Sequence, residues 1–351
     1  MNAQAPKYRV QQGDALTDRE RILALWERCG FRSGPAARPR YDWFYLDNPD
    51  GLGRVYLLFN GEELVGSLGA GTRQIARGPG EPMLRASILV DFVVDPSHRS
   101  VFPALQLQRA AREQELRDAQ LIYSFPGDKA VAIFQRMGFS AKLTSASYAR
   151  PLRCARFMKR LLPKVPSLPL RMLCWVVDRV RLLPASLITQ AYGLKVRVVP
   201  QLPEGIDALW ARAGADEHVA TGVRHREYLE WRFHPAQLRE WLMLSVTNRR
   251  GELEGYFVCQ QQEGHLCVYD VMLADRQGGT LPLLALSLAA WQLRMDSVRV
   301  LFGGSNRMQR ALIRAGFLRR DTRPCFLIQP PGADAALLPT EWWLTKADED
   351  A

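Results

Sequence analysis

One stretch of sequence occurs twice in this chain, and this repetition limits the available folds more than any other feature. Four segments recur in the same order, 178 to 189 residues further along. The matching pairs are residues 41–44 and 228–233, 62–66 and 251–255, 89–94 and 268–273, and 128–139 and 306–317. Because all four pairs keep their order and nearly keep their spacing, the sequence predicts two copies of one fold.

Each copy has the pattern of a mixed α/β unit. In the first copy an amphipathic segment at 18–28 predicts a helix, and Asn60-Gly61 predicts a tight turn between two strands. The apolar run 86–94 predicts a central strand that is buried on both faces. The other expected elements are strands at 55–59, 64–71 and 121–125, a helix at 103–116, and a helix that ends at Met137 before Gly138-Phe139. This order predicts helices on both faces of a mixed sheet.

The length of 351 residues fits two domains of about 150 residues with a segment between them. We predict an N-terminal domain at 1–150, a basic helical connector at 151–195 and a C-terminal domain at 196–351. The net charge of +11 is concentrated in one place, because residues 150–199 hold eleven Arg and Lys against a single acid, Asp178.

Two interpretations of the basic connector are open at this stage. Residues 172–183 mix apolar side chains with arginines, which suits an amphipathic helix on an anionic membrane surface, with 150–199 as the contact region. The alternative is a helical pair that packs over both domains with its arginines in water. Nucleic acid is not an expected partner, since the domains carry no basic stripe and no known reader motif.

Simpler features argue against several classes of protein. The six cysteines form no CxxC pair and the five histidines do not cluster near them, so neither a metal site nor a disulfide framework is expected. The first 14 residues lack the apolar core of a signal peptide, and the apolar stretch 280–293 is too short to span a bilayer and predicts a buried helix. We therefore expect a cytoplasmic protein, with peripheral membrane contact left open by the two interpretations of the connector.

The order of strand, arginine-bearing loop, helix, strand, short helix and Gly-Phe resembles that of the GCN5-related N-acetyltransferase (GNAT) superfamily. The resemblance covers roughly residues 10–150 and 200–330. It extends to the tandem acetyltransferase-like proteins of bacterial polysaccharide and cell-envelope loci, and residues 341–348 resemble the C-terminal tail of that group. The resemblance implies two tandem acyl-CoA N-acyltransferase domains of α/β fold, joined by a helical connector.

In this family the strand before the loop splays from its neighbour and binds the pantetheine arm of coenzyme A, and the loop and the next helical turn bind the pyrophosphate. The family loop, Gln/Arg-x-x-Gly-x-Gly/Ala, corresponds here to residues 99–104, with Phe102 in place of a glycine. Acetyl-CoA or another acyl-CoA is thus the implied co-substrate. Its expected contacts in the first copy are Phe92, Val93, Val94, Arg99, Ser100, Val101, Phe102 and Ala104.

Both copies depart from the family pattern. In the second copy the loop begins at Arg276 and keeps a glycine, but Leu281 replaces a small residue. The tyrosine that serves the family as an acid is replaced by Phe134 in the first copy and by Leu312 in the second. We favour the first copy as the cofactor site and expect the second to be degenerate.

Acyl transfer to an amine needs a base for the amine proton and an acid for the leaving thiolate. Asp91, with Asp270 as its counterpart, is the candidate base because it interrupts an apolar strand, the kind of environment that tunes catalytic carboxylates. A structural role at the splay of the sheet is the alternative. Tyr123, on the strand after the cofactor helix, is the candidate acid.

The sequence therefore predicts an acyl-CoA-dependent N-acyltransferase, most simply an N-acetyltransferase. Its acceptor would be a small-molecule or glycan amine, and the resemblance implies an amino sugar or another precursor of an envelope polysaccharide. Two rival hypotheses are open: a FemAB-like peptidyl transferase that takes aminoacyl-tRNA, and a non-catalytic binding or assembly protein of the same fold.

Overall fold

A computed structural model describes most of the chain. The described residues are 8–78, 80–127, 131–161, 165–213, 219–234, 240–274, 279–328 and 341–349. The loop residue Arg276 and residues 128–130 of the first copy lie outside them.

The first repeat runs from the first described strand to the connector. Its elements are β1 (Tyr8–Gly13), α1 (Arg19–Arg28), α2 (Ala37–Tyr45), β2 (Arg54–Asn60), β3 (Glu63–Ala76), β4 (Leu84–Val94), α3 (Val101–Asp118), β5 (Leu121–Ser124), α4 (Val131–Arg136) and β6 (Ser140–Pro151). Two helices, α5 (Ala155–Leu161) and α6 (Ser167–Tyr192), form the connector.

The second repeat has the same elements in the same order, with two added strands. It comprises β7 (Lys195–Val199), α7 (Ile206–Ala213), β8 (Val219–Gly222), α8 (Arg226–Arg232), β9 (Leu242–Thr247), β10 (Leu253–Gln262), β11 (His265–Leu273), α9 (Thr280–Gln292), β12 (Ser297–Gly304), α10 (Asn306–Arg314), β13 (Leu318–Ile328) and β14 (Glu341–Thr345). The additions are β8 and β14. The predicted mixed α/β fold with two tandem copies is thus confirmed.

The strands of the described chain form one continuous mixed sheet in which the two repeats exchange their last strands. From one edge the order is β1-β2-β3-β4-β5, then β13-β6, then β12-β11-β10-β9-β7. The last strand of the second repeat, β13, pairs with β5 of the first, and β6 pairs in turn with β12. Neither repeat therefore completes its sheet without the other.

An approximate two-fold axis passes between the exchanged strands. Leu318 pairs with Ala149 at one end of the antiparallel β6–β13 ladder, and Leu327 pairs with Ser140 at the other. Since residues 178 positions apart are equivalent in the two repeats, these two pairs are copies of each other. The contact is therefore isologous, as in a symmetric dimer, but lies within one chain.

Trp43 of α2 and Trp231 of α8 meet across this axis. Their rings stack with centroids 4.8 Å apart and an interplanar angle of 16°. Each indole N–H donates a hydrogen bond to the other residue's carbonyl oxygen, at 2.6 Å from Trp43 and 2.7 Å from Trp231. Both tryptophans lie in the repeated segments 41–44 and 228–233, so this matching pair of segments joins the two repeats.

Helices cover both faces of the first repeat's sheet. Trp26 of α1 and Tyr41 of α2 are buried on one face, and Leu107 of α3 and Phe134 of α4 are buried on the other. The central strand β4 contributes residues to both cores, as its unbroken apolar pattern predicted. The predicted buried helix at 280–293 is confirmed as α9.

Replacing Trp43 with leucine should lower the free energy of unfolding by about 3 kcal/mol, because the change removes a stacked ring pair and one of two reciprocal hydrogen bonds. Urea unfolding of wild type and variant measures the difference. Trp175→Leu, at an exposed tryptophan of α6, is the matched control and should change stability by about 0.5 kcal/mol or less. Equal effects of the two substitutions would contradict this role of Trp43.

Candidate functional site

The sheet of the first repeat opens between its two central parallel strands. β4 and β5 pair only from Ala86–Leu121 to Ile88–Tyr123, while β4 continues for six more residues to Val94. Beside the opening, the Ser124 hydroxyl donates to the carbonyl oxygen of Leu89 at 3.3 Å. Among the described residues no strand enters this gap. The gap therefore leaves backbone of β4 available to an extended ligand.

Val94, at the far end of the gap, has its backbone polar groups directed into it. The N–H of Asp95 bonds to Val65 of β3, so the carbonyl of Val94, on the same peptide, points away from β3. That carbonyl accepts a hydrogen bond from Nε of Arg99 at 2.9 Å. Because the N–H and C=O of one extended residue point to the same side, the N–H of Val94 also faces the gap.

A tight turn carries the chain from β4 to α3. Asp95 accepts hydrogen bonds at Oδ1 from the Ser97 hydroxyl (2.6 Å) and N–H (3.0 Å), and at Oδ2 from Nε of Arg28 (2.8 Å). These contacts, those from Ser97 first, lower the pKa of Asp95 to about 2. The turn places Arg99 and Ser100 immediately before α3, whose N-terminal N–H groups lack partners within the helix.

The expected cofactor residues thus lie along one path. Phe92, Val93 and Val94 line the open part of β4, Arg99 and Ser100 follow the turn, and Val101, Phe102 and Ala104 form the first turn of α3. The Phe102 side chain is exposed and lies near Tyr8, with ring centroids 6.4 Å apart. His98 also contacts Tyr8, through a 3.0 Å hydrogen bond between Nδ1 and the phenol oxygen.

The equivalent gap in the second repeat is filled by the C-terminal strand. β11 and β12 pair only from His265–Ser297 to Val268–Val300, and β14 then pairs with the continuing end of β12. The buried Trp343 of β14 donates its indole N–H to the carbonyl oxygen of Val271, on the diverging part of β11, at 2.9 Å. The surface that would hold pantetheine in the second repeat is therefore covered by the chain itself.

Glycines in β12 permit this insertion. Gly304 has φ +101°, and a Cβ there would lie 1.9 Å from the carbonyl oxygen of Trp342. At the positions equivalent to Gly303 and Gly304 the first repeat has Phe125 and Pro126. This Gly-Gly pair, present in one copy only, is the sequence signal for the asymmetry, which the loop sequences do not carry.

Buried ion pairs fasten the C-terminal segment to both repeats. Asp348 lies 2.6 Å from Arg224 and 3.5 Å from Arg73, measured between carboxylate oxygen and guanidinium nitrogen. Burial alone would raise the pKa of Asp348, but these arginines hold it below its usual value. Arg224 also contacts Asp270, at 3.2 Å, and the Thr345 hydroxyl donates to the same carboxylate at 2.7 Å. Nothing local in the sequence marks Arg73 or Arg224 for this role.

Asp91 occupies a β-bulge and is enclosed by polar side chains. Asp91 and Phe92 together oppose Leu68 of β3, and Asp91 has φ +50°, a left-handed conformation that is costly for a residue with a side chain. Its fully buried carboxylate lies 2.7 Å from Nε of Arg32 and 3.5 Å from Arg40.

The remaining oxygen of Asp91 accepts a hydrogen bond from the Tyr45 hydroxyl at 2.9 Å. The position of Asp91 in an apolar strand suggested that its carboxylate is surrounded by aliphatic groups. The structure instead surrounds it with two arginines and a tyrosine. Its counterpart Asp270 is also bonded by a tyrosine, Tyr256, at 2.8 Å, and by an arginine, Arg224, although these come from positions that are not equivalent. Such contacts favour the structural alternative for Asp91, and its role as a base stays a prediction.

Tyr123, the candidate acid, lies in the core of the first repeat on the same face as α1 and α2. Burial raises the pKa of its phenol, and the nearby Arg73 only partly offsets that effect. A raised pKa makes the phenol a weaker proton donor at neutral pH. Its catalytic role also stays a prediction. Within the described residues no cluster of three His, Cys, Asp or Glu side chains forms a site for a metal ion.

Solved structures with the same fold support this description. A protein of Enterococcus faecalis V583 described as a probable N-acyltransferase has a TM-score of 0.63 and 10% identity, covering 92% of this chain and 73% of its own. A GCN5-related N-acetyltransferase from Anabaena variabilis has a TM-score of 0.61 and 11% identity, covering 92% and 72%. A tandem GNAT protein from the clavulanic acid biosynthesis pathway has a TM-score of 0.55 and 15% identity, covering 93% and 100%.

These likenesses, at 10–15% identity, establish the fold of the chain as a tandem GNAT fold. No protein-family model and no curated protein sequence matches the chain.

Asp95→Asn should destabilise the protein by about 1 to 2 kcal/mol at neutral pH, because the amide replaces a carboxylate that is held ionised. Since the pKa is depressed in the folded state, the contribution is complete above about pH 4 and is lost as the pH falls through about 2. Unfolding free energies from pH 7 to pH 2 should therefore converge for wild type and variant. Asp47→Asn, at an exposed carboxylate, is the control, and a difference independent of pH would refute the assignment.

Proposed function

We propose that this protein is an acyl-CoA-dependent N-acyltransferase with a single coenzyme A site, in the first repeat. The observation that carries the proposal is the contrast between the two gaps. Among the described residues no strand lies in the gap between β4 and β5, whereas β14 occupies the gap between β11 and β12. One chain would therefore bind one acyl-CoA.

The groups along the first gap match the parts of coenzyme A in order. Pantetheine carries amide groups that pair with the backbone of an open strand, so it would lie along 89–94 of β4. The pyrophosphate would then reach the first turn of α3, where free N–H groups and the helix dipole favour an anion. Arg99, exposed and tethered to the Val94 carbonyl, would add a guanidinium contact to a phosphate.

The reaction supported by such a site is direct transfer. The amine nitrogen of the acceptor attacks the thioester carbonyl carbon, the C–S bond breaks, and the thiolate leaves with the bonding electrons. The amine loses a proton to a base, for which Asp91 is the candidate, and the thiolate gains one from an acid, for which Tyr123 is the candidate. Holding both reactants in one cleft supplies much of the rate enhancement even with weak acid–base assistance.

For the acceptor we propose an amine on a small molecule or glycan, such as an amino sugar in a precursor of an envelope polysaccharide. The support is the resemblance of the tandem arrangement and of residues 341–348 to proteins of polysaccharide loci. The structural neighbours leave the acceptor open, because they establish only the fold.

Calorimetric titration with acetyl-CoA and longer acyl-CoAs should give one binding site per chain. Arg99→Ala should weaken binding by about tenfold, the usual cost of losing one charge-assisted phosphate contact. Arg276→Ala, at the equivalent loop position of the second repeat, is the matched control and should bind as wild type.

Two sites per chain, or equal weakening by both substitutions, would contradict the single-site proposal. Absence of binding for every acyl-CoA would reject the acyltransferase and leave the tRNA-dependent transferase or the non-catalytic protein.

A further inference from the structure

Helix α6 of the connector exposes apolar side chains along its whole length. The helix has 26 residues and is therefore ~39 Å long. Nine of its large apolar residues have between 40% and 66% of their surface exposed: Leu168, Met172, Leu173, Trp175, Val176, Val177, Val180, Leu183 and Leu187. A contiguous exposed apolar surface of this size marks an interaction site in a folded protein.

The opposite side of α6 is fixed to the protein. Cys174, Leu182 and Ala185 are buried on that side, where α6 packs against α9. Asp178 is buried there too, and both of its carboxylate oxygens lie 3.2 Å from the backbone N–H of Cys154. The only acid of the connector is thus turned inward and the apolar side chains outward, the reverse of an ordinary surface helix.

The charges around this apolar surface all have one sign. Because Asp178 is buried, every charged side chain that the connector directs outward is an arginine or a lysine. In the described part of the chain, no carboxylate lies within ion-pair distance of three connector arginines: Arg171, Arg179 and Arg181.

A basic cavity opens beside the apolar surface. It has a volume of about 1040 Å³ and lies where α5 and α6 meet the end of α9. Its lining holds four cationic side chains, Arg153, Lys159, Arg171 and Arg294, against two carboxylates, Asp178 and Asp296, and also includes Trp175 and Trp291. The Trp291 ring lies 4.5 Å from the guanidinium of Arg179 and 5.2 Å from that of Arg153. An excess of cations beside aromatic rings suits a group that is anionic at one end and apolar at the other.

We propose that the outward face of α6 binds the surface of an anionic lipid bilayer. The apolar side chains insert at the boundary between headgroups and acyl chains, and the basic side chains around them contact lipid phosphates. The helix lies in the plane of the surface, because its exposed apolar side chains follow its length on the side away from α9. Among the described residues, no helix is long and apolar enough to cross a bilayer.

A second copy of the chain fits this surface less well. A symmetric dimer through α6 would place the same patch on both partners and so bring basic side chains together without an acid to neutralise them. Lipid phosphates supply the missing negative charge.

Flotation of the full-length protein with vesicles tests the proposal. The vesicles contain phosphatidylcholine alone or phosphatidylcholine with phosphatidylglycerol, at low and high salt. Wild type should float with the anionic vesicles, and high salt should weaken its binding. Leu173→Gln/Val180→Gln should weaken binding by about tenfold or more, because two apolar side chains no longer enter the bilayer. Arg171→Gln/Arg181→Gln should cause a loss of the same order, confined to anionic vesicles.

Leu52→Gln, at an exposed leucine of the first repeat, is the control and should bind as wild type. All these positions are exposed, so unfolding midpoints should stay unchanged. Failure of wild type to float with anionic vesicles, equal flotation with neutral ones, or wild-type binding by the α6 variants would overturn the proposal. Concentration-dependent dimerisation abolished by Leu173→Gln/Val180→Gln, without vesicle binding, would assign the surface to a second copy instead. None of these results depends on acyl-CoA binding.

Discussion

The antiparallel pairing of β6 with β13 is the contact on which the rest of the structure depends. Each repeat donates its last strand to the sheet of the other, β13 beside β5 and β6 beside β12. The two copies therefore form one sheet, and neither repeat has a complete sheet without the other. The stacked pair Trp43–Trp231 joins α2 and α8 across the same two-fold axis. Because of this symmetry the two central gaps, β4–β5 and β11–β12, occupy equivalent positions in the two repeats. A difference between the gaps therefore reflects a difference between the sequences of the two copies.

That difference comes from a short C-terminal segment. β14 enters the second gap, and the buried Asp348 holds it there through Arg224 and Arg73, one from each repeat. Loss of one partner from a buried ion pair strongly destabilises a protein, because it leaves the other charge buried without compensation. The C-terminal segment is therefore a fixed part of the fold. The first repeat keeps the open gap, the turn at Asp95 and the start of α3.

Local patterns in the sequence predicted much of this fold. The repeat, the central strand β4, the turn after Asn60 and the helix end at Gly138 all depend on neighbouring residues and were confirmed. The strand exchange and the insertion of β14 could not be predicted, because the choice of a pairing partner depends on residues far apart in the chain. The partners of Asp91 were missed for the same reason, since Arg32 and Arg40 lie more than 50 positions before it.

A crystal structure of the chain with bound coenzyme A would show which of the two gaps holds the cofactor. We expect coenzyme A along β4 of the first repeat, with its pyrophosphate at the start of α3 beside Arg99, and β14 still in place between β11 and β12. Coenzyme A between β11 and β12 with β14 displaced would contradict the single-site proposal, because the C-terminal strand would then be a removable cover and the second repeat would bind the cofactor.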